Sequence, residues 1–163
     1  MNIPYRPVFI GVVSLVFSAL LLERAQAGNG HFYLPVSDPV VKTECGSCHI
    51  AFSPAMLPAK SWQNMMSTLK NHFGDDASVD AATASHITAY LTANAADSGG
   101  GHQGGKLVRG ASVTTPPLRI TELPNWMRKH RKVPAWEWVH KDVRTKANCA
   151  ACHADAERGY FDN

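Results

Sequence analysis

The sequence predicts a mainly α chain with a helical N-terminal half and an irregular, short-helix C-terminal half. Three observations carry this. Apolar side chains recur at three- and four-residue steps between residues 58 and 97. A glycine-dense stretch follows at residues 97–107. Beyond it, Pro116, Pro117, Pro124 and Pro134 interrupt every longer pattern.

The chain has 163 residues, room for one domain or two very small ones. It begins "MNIPYRPVFIGVVSLVFSALLLERAQAGNG". Arg6 supplies a positive start, an apolar run spans Val8 to Leu22, and Ala25 and Ala27 are small residues where a signal peptidase reads. Residues 1–27 are therefore expected to be a secretory signal cleaved after Ala27. An uncleaved anchor is the alternative, but the run is about 15 residues where a bilayer span takes roughly 20. The expected mature protein is an exported domain, residues 28–163, without a membrane span.

In the first half, Ser61 is expected to cap a helix running to about Phe73. Trp62, Met65, Met66, Leu69 and Phe73 form its apolar stripe, His72 lies on the same side, and Gly74 ends it. A second helix is expected from Asp80, as N-cap, to Ala95, with Ala84, Ile87 and Leu91 inward and His86 off the stripe near Tyr90. Five glycines within residues 97–107 read as a flexible linker, placed at 98–105. It divides an N-terminal unit, 28–97, from a C-terminal unit, 106–163. The latter has little periodic core but three Trp in thirteen residues: Trp126, Trp136 and Trp138.

Charge divides along the same line. Residues 28–105 carry three Lys/Arg against six Asp/Glu, and residues 106–163 carry eleven against six. The basic half is suited to an acidic partner or to negative groups on a cofactor. No run is basic enough to point to nucleic acid.

The four cysteines stand as "ECGSCH" at residues 44–49 and "NCAACH" at 148–153. Two disulfides would be ordinary in an exported chain. Four thiolates would also close a zinc site, but zinc has no need of the histidine after each pair. With eight His in 163 residues, chance places His after both pairs only about once in four hundred. C-x-x-C-H is the attachment pattern of covalent haem. Two intervening residues bring both sulfurs to one edge of the porphyrin, and the next residue sets its imidazole under the iron. Cys45, Cys48, Cys149 and Cys152 are thus expected to bind two haem c groups, with His49 and His153 as proximal iron ligands. The three Trp suit a wrap around a flat aromatic ring.

The opposite side of each iron decides the chemistry. An open site would allow peroxidase or small-molecule reductase activity, and a filled one restricts iron to electron transfer. Met56, Met65, Met66, Met127, His31, His72, His86, His102, His130 and His140 are the candidates. His72, on an apolar face 23 residues after His49, is expected to fill the first site. Met65 and Met66 read as core packing. His31 and His102 lie on segments expected to be too mobile. For the second site, spacing leaves His130 and His140 both open.

The chain resembles the bacterial diheme cytochrome c family, small exported proteins paired with membrane b-type cytochromes or an oxygen-binding c-type haem protein. The matching stretches are "ECGSCH", "LPAKSWQNMMSTLKNHFGDDAS", "ITAYLTANAAD", "RITELPNWMRKHRKVP" and "ANCAACHADAERGYF". The resemblance implies a cytochrome c-like N-terminal haem domain and a periplasmic bis-His electron carrier that is not an enzyme. Its redox protein partners would be of the two kinds just named. The family's "HFG" falls on His72. Its Trp-x-x-x-His before a proline falls on Trp126, His130 and Pro134, which favours His130 over His140.

A segment with so little core should depend on its cofactor. Limited proteolysis of haem-free protein is expected to digest residues 106–163 first. Native-like resistance of that half would overturn the expectation.

Overall fold

The computed structural model describes residues 31–162. The expected signal, residues 1–27, lies outside them. Among the described residues the chain forms six α-helices and five 3-10 turns, with only two isolated β-bridges. The helices are α1 (Pro39–Gly46), α2 (Ala59–Met66), α3 (Ala81–Ala93), α4 (Gly101–Leu107), α5 (Pro124–His130) and α6 (Ala135–Trp138). The mainly α reading holds. None of the described helices is long and apolar enough to cross a membrane.

Helix α1 starts at Asp38, whose carboxylate accepts from the Val40 and Val41 amides. It ends in the first cysteine pair, so Cys45 lies in its last turn. Helix α3 starts as expected at Asp80, which accepts from Ala82 and Thr83. Ile87 and Leu91 are its buried face.

Helix α2 departs from expectation at both ends. Its N-cap is Pro58, and Ala59 N–H instead donates to the Asp97 carboxylate at 2.8 Å. Ser61 is fully buried inside the helix, and its hydroxyl donates to the Pro117 carbonyl at 2.7 Å. The helix stops at Met66 rather than Phe73. The hydroxyls of Ser67 and Thr68 take the carbonyls of Asn64 and Met65, a competition that ends helices. A 3-10 turn at Leu69–Asn71 follows, and then a tight reversal. His72 N–H donates to Asp75 at 2.7 Å, and Asp75 N–H returns the bond at 3.2 Å. Between them Phe73 and Gly74 both have positive φ, 58° and 114°. His72 therefore stands at the root of a turn, not on a helix face.

The expected linker is also different. Residues 101–107 form helix α4, buried at Gly104 and Leu107. A Cβ on Gly104 would lie 2.7 Å from the Ala55 carbonyl oxygen and 3.0 Å from Ala96 Cα. The glycines are there because backbone packs against backbone. Helical glycine costs roughly 1 kcal/mol relative to alanine, and this close approach offsets it. One buried cluster joins Leu57, Trp62, Ile87 and Leu91 to Leu107 and Leu123, so the core crosses residues 98–105. Beyond Leu123 the fully buried apolar side chains thin to Val143 and Ala156.

The two ends of the described chain are laced together. Tyr33 N–H donates to Gly159 at 2.8 Å and Phe161 N–H to His31 at 3.0 Å. Phe32 packs on Tyr160 with ring centres 4.8 Å apart. Gly159 has φ 88° and its Cα faces the Tyr33 carbonyl too closely for any Cβ, so both conformation and space require glycine here.

The α4 packing separates two neighbouring glycines. Gly104→Ala is expected to destabilise the holoprotein by roughly 1–3 kcal/mol, the usual cost of overpacking. Gly105, with nothing within 4 Å of its Cβ position, should gain up to about 1 kcal/mol as alanine. Denaturant unfolding of both variants checks the pair.

Candidate haem sites

Two pairs of histidines meet across the fold. At the first site, His49 follows the Cys45–Cys48 pair and faces His72, with ring centres 6.2 Å apart and planes 25° apart. At the second, His153 follows Cys149–Cys152 and faces His130, at 6.1 Å and 84°. The separation is informative. Two metal–nitrogen bonds of about 2 Å, plus about 1.2 Å from each nitrogen to its ring centre, put two imidazoles on one metal about 6.4 Å apart. Both pairs have the gap that a shared iron requires.

The ring orientations are fixed by bonds on the far nitrogens. His49 Nδ1 lies 2.7 Å from the Ile50 carbonyl. His130 Nδ1 lies 2.9 Å from the Trp126 carbonyl. Each carbonyl demands a proton on Nδ1 and leaves the Nε2 lone pair for the metal. His130 is held further by stacking on Trp126, ring centres 4.1 Å apart and planes 17° apart. The contact is an i, i+4 pair on α5, which brings side chains one above the other. His49 stacks on Phe52 at 5.0 Å. His153 Nδ1 is buried without a hydrogen-bond partner among the described residues.

Burial, with the facing histidine second, holds His72 and His153 below the usual histidine range. Both favour the neutral imidazole that a metal needs. Arg119, over the Phe73 ring at 3.7 Å, pushes His72 the same way. Burial raises the Cys149 thiol to about 11 and shifts Cys45 upward too, with Glu44 adding to the latter.

A cavity of about 410 Å³ is lined by both rings of the second site. Trp126, Trp138, Val133 and Val143 give it apolar walls, Cys149 and Cys152 line it, and Lys129 and Lys146 reach it with charge. A flat apolar macrocycle with carboxylate substituents suits such walls. Trp126 and Trp138 face this space, whereas Trp136 is 62 % exposed and turns away. Only part of the expected tryptophan wrap is therefore present.

The remaining candidates lie elsewhere. His140 is exposed and lies 3.6 Å from the Asp142 carboxylate. His86 joins α3 to the α1 cap through Asp38 at 2.8 Å. His102 is exposed on α4. His31 lines the second cavity but its ring meets the Asp162 carboxylate at 3.2 Å. Met65 and Met66 pack against the core, Met127 is half exposed, and Met56 is buried with one side toward the second cavity. The four cysteines form no disulfide with one another. No group of three or more His, Cys, Asp or Glu among the described residues could hold a bare metal ion, so the two pairs do not form the four-thiolate zinc site.

Reading the sequence missed Arg119 and the lacing of residues 31–33 to 159–161. Neither carries a local signal. The Trp126–His130 spacing was one, since four residues on a helix set an aromatic ring over an imidazole.

Comparison with known proteins points to one family. The Dihaem cytochrome c family matches residues 41–161. A diheme cytochrome c from Rhodobacter sphaeroides superposes with a TM-score of 0.71 and 50% identity, covering 78% of this chain and 99% of that one. A crystal structure of DHC purified from Rhodobacter sphaeroides gives 0.65 and 47%, covering 78% of this chain and 100% of that one. A diheme cytochrome type c from Shewanella baltica OS155 gives 0.62 and 34%, covering 76% and 86%. Comparison with curated protein sequences yields no match. With two C-x-x-C-H motifs and a family match across most of its length, the chain belongs to the dihaem cytochrome c family and carries two covalently bound haem c groups.

Proposed function

We propose that the protein is an exported, periplasmic electron carrier with two low-spin, bis-His haems, exchanging electrons with other redox proteins. The observation that carries this is the pair of imidazole gaps, 6.2 Å at His49–His72 and 6.1 Å at His130–His153. In this reading Cys45 and Cys48 attach the first haem, and Cys149 and Cys152 the second. His49 and His153 are the proximal ligands, and His72 and His130 the distal ones.

Bound haem supplies a one-electron iron couple. The chain's residues confine it to that task. With His72 and His130 holding the irons together with His49 and His153, no coordination position would remain for peroxide or another substrate, which argues against an enzyme with an open haem. The Ile50 and Trp126 carbonyls fix the tautomer of His49 and His130, so neither ring has to move or change protonation with oxidation state. The Phe52 and Trp126 stacks restrain rotation. Two histidines, rather than histidine and methionine, set a low potential.

Replacing one distal ligand should open one haem only. His72→Ala and His130→Ala are each expected to turn about half of the haem high-spin and to make that half bind carbon monoxide. The absorption spectrum of the reduced protein with and without the gas reads this. An unchanged low-spin spectrum in either variant would overturn that assignment.

The ring planes make a second prediction. Near-parallel imidazoles overlap the same iron d orbital and split the set, while near-perpendicular rings leave two of them almost degenerate. Low-temperature electron paramagnetic resonance of the oxidised protein is expected to show one rhombic signal, from the 25° pair, and one strongly anisotropic signal, from the 84° pair. Two signals of one type would contradict the geometry.

A further inference from the structure

We propose that the second haem site carries the docking face for an acidic redox protein, and that the first site does not. This rests on the electron-carrier reading and adds which haem meets which kind of partner.

The chain between Glu122 and Glu137 holds Arg128, Lys129, Arg131 and Lys132 and no acidic residue. None of the four takes part in an ion pair among the described residues. Of the local carboxylates, Glu122 pairs with Arg119 and Asp142 with Lys141 and His140, while Glu137 makes no ion pair with the four among the described residues. The two arginines are held by neutral groups. Arg128 donates to the Asn125 side chain at 2.6 Å, and Arg131 to the Arg128 carbonyl at 2.8 Å. Both guanidinium groups thus keep their charge uncompensated.

Large apolar side chains lie exposed among these cations. Met127 is 50 % exposed, Trp136 62 % and Val139 78 %. Apolar anchors within a polar rim are the usual anatomy of a protein interface, and Trp, Met and Arg are enriched there. Met127 and Arg128 share helix α5 with His130, so a partner seated here is close to the second haem. Lys129 and Lys146 are separate. They line the cavity and are suited to the carboxylates of the haem itself.

The surface round the first site is mixed in sign. Glu44, Asp75 and Asp76 are exposed there, but so are Lys42 and Lys70, and Arg119 lies over Phe73 beside His72. A partner with an acidic face is steered toward the second site, where the positive charge is denser.

The test uses oxidised holoprotein and photoreduced flavodoxin, an acidic redox protein, mixed by stopped flow. The second-order rate is expected to fall about tenfold between about 10 and 200 mM salt. Arg131→Glu with Lys132→Glu should lower the low-salt rate about tenfold without changing the haem spectrum or potentials. Lys42→Glu with Lys60→Glu, exposed positions in the N-terminal half, changes net charge equally and should leave the rate near its original value. Equal loss in both pairs, or no dependence on salt, would overturn the docking face. Methyl viologen radical, a small cation needing no docking, separates the two proposals. If it reduces every variant normally, only the docking face is at stake. If it cannot reduce the haems reversibly, the electron-carrier reading fails, and the docking face with it.

Discussion

The molecule is built around two gaps. In each, a histidine tied to a cysteine pair faces another histidine at the distance one metal spans. Around the second gap, α5 presents His130, the Trp126 and Trp138 walls leave open space, and the cysteine turn at Cys149–Ala151 supplies the opposite side. The thin apolar core beyond Leu123 is understandable on this basis. A bound macrocycle would supply the apolar surface that this half of the chain lacks.

The two sites reach the same ring separation by different means. His72 comes from a turn whose Phe73 has φ 58°, a left-handed backbone that a bulky residue adopts only when its surroundings require it. The bonds between His72 and Asp75 provide that requirement. His130 comes instead from a regular helix, held by a stack and a carbonyl. The two sites differ in ring angle as well, 25° and 84°.

Local chemistry was legible in the sequence, and contacts from afar were not. Asp80 could be read as a cap because its partners are two and three residues away. Ser61 looked like a cap, but its hydroxyl is claimed by Pro117, 56 residues on. The glycines at 99–105 signalled flexibility by composition, yet Ala55 and Ala96, distant in sequence, give them a surface to pack on. The C-x-x-C-H motifs were unambiguous because attachment chemistry fixes their spacing. His130 and His140 were equivalent by chain reach; the resemblance favoured His130, and the fold sets its ring against His153 while His140 lies exposed beside Asp142.

The short bridge between Phe32 and Tyr160 serves both sites. Tyr33 and Phe161, beside it, line the second cavity with His153, and the same two residues border Ile50 and Phe52, which hold His49. The laced ends are thus a wall shared by two centres, and a cut near residue 31 or residue 160 would loosen both at once.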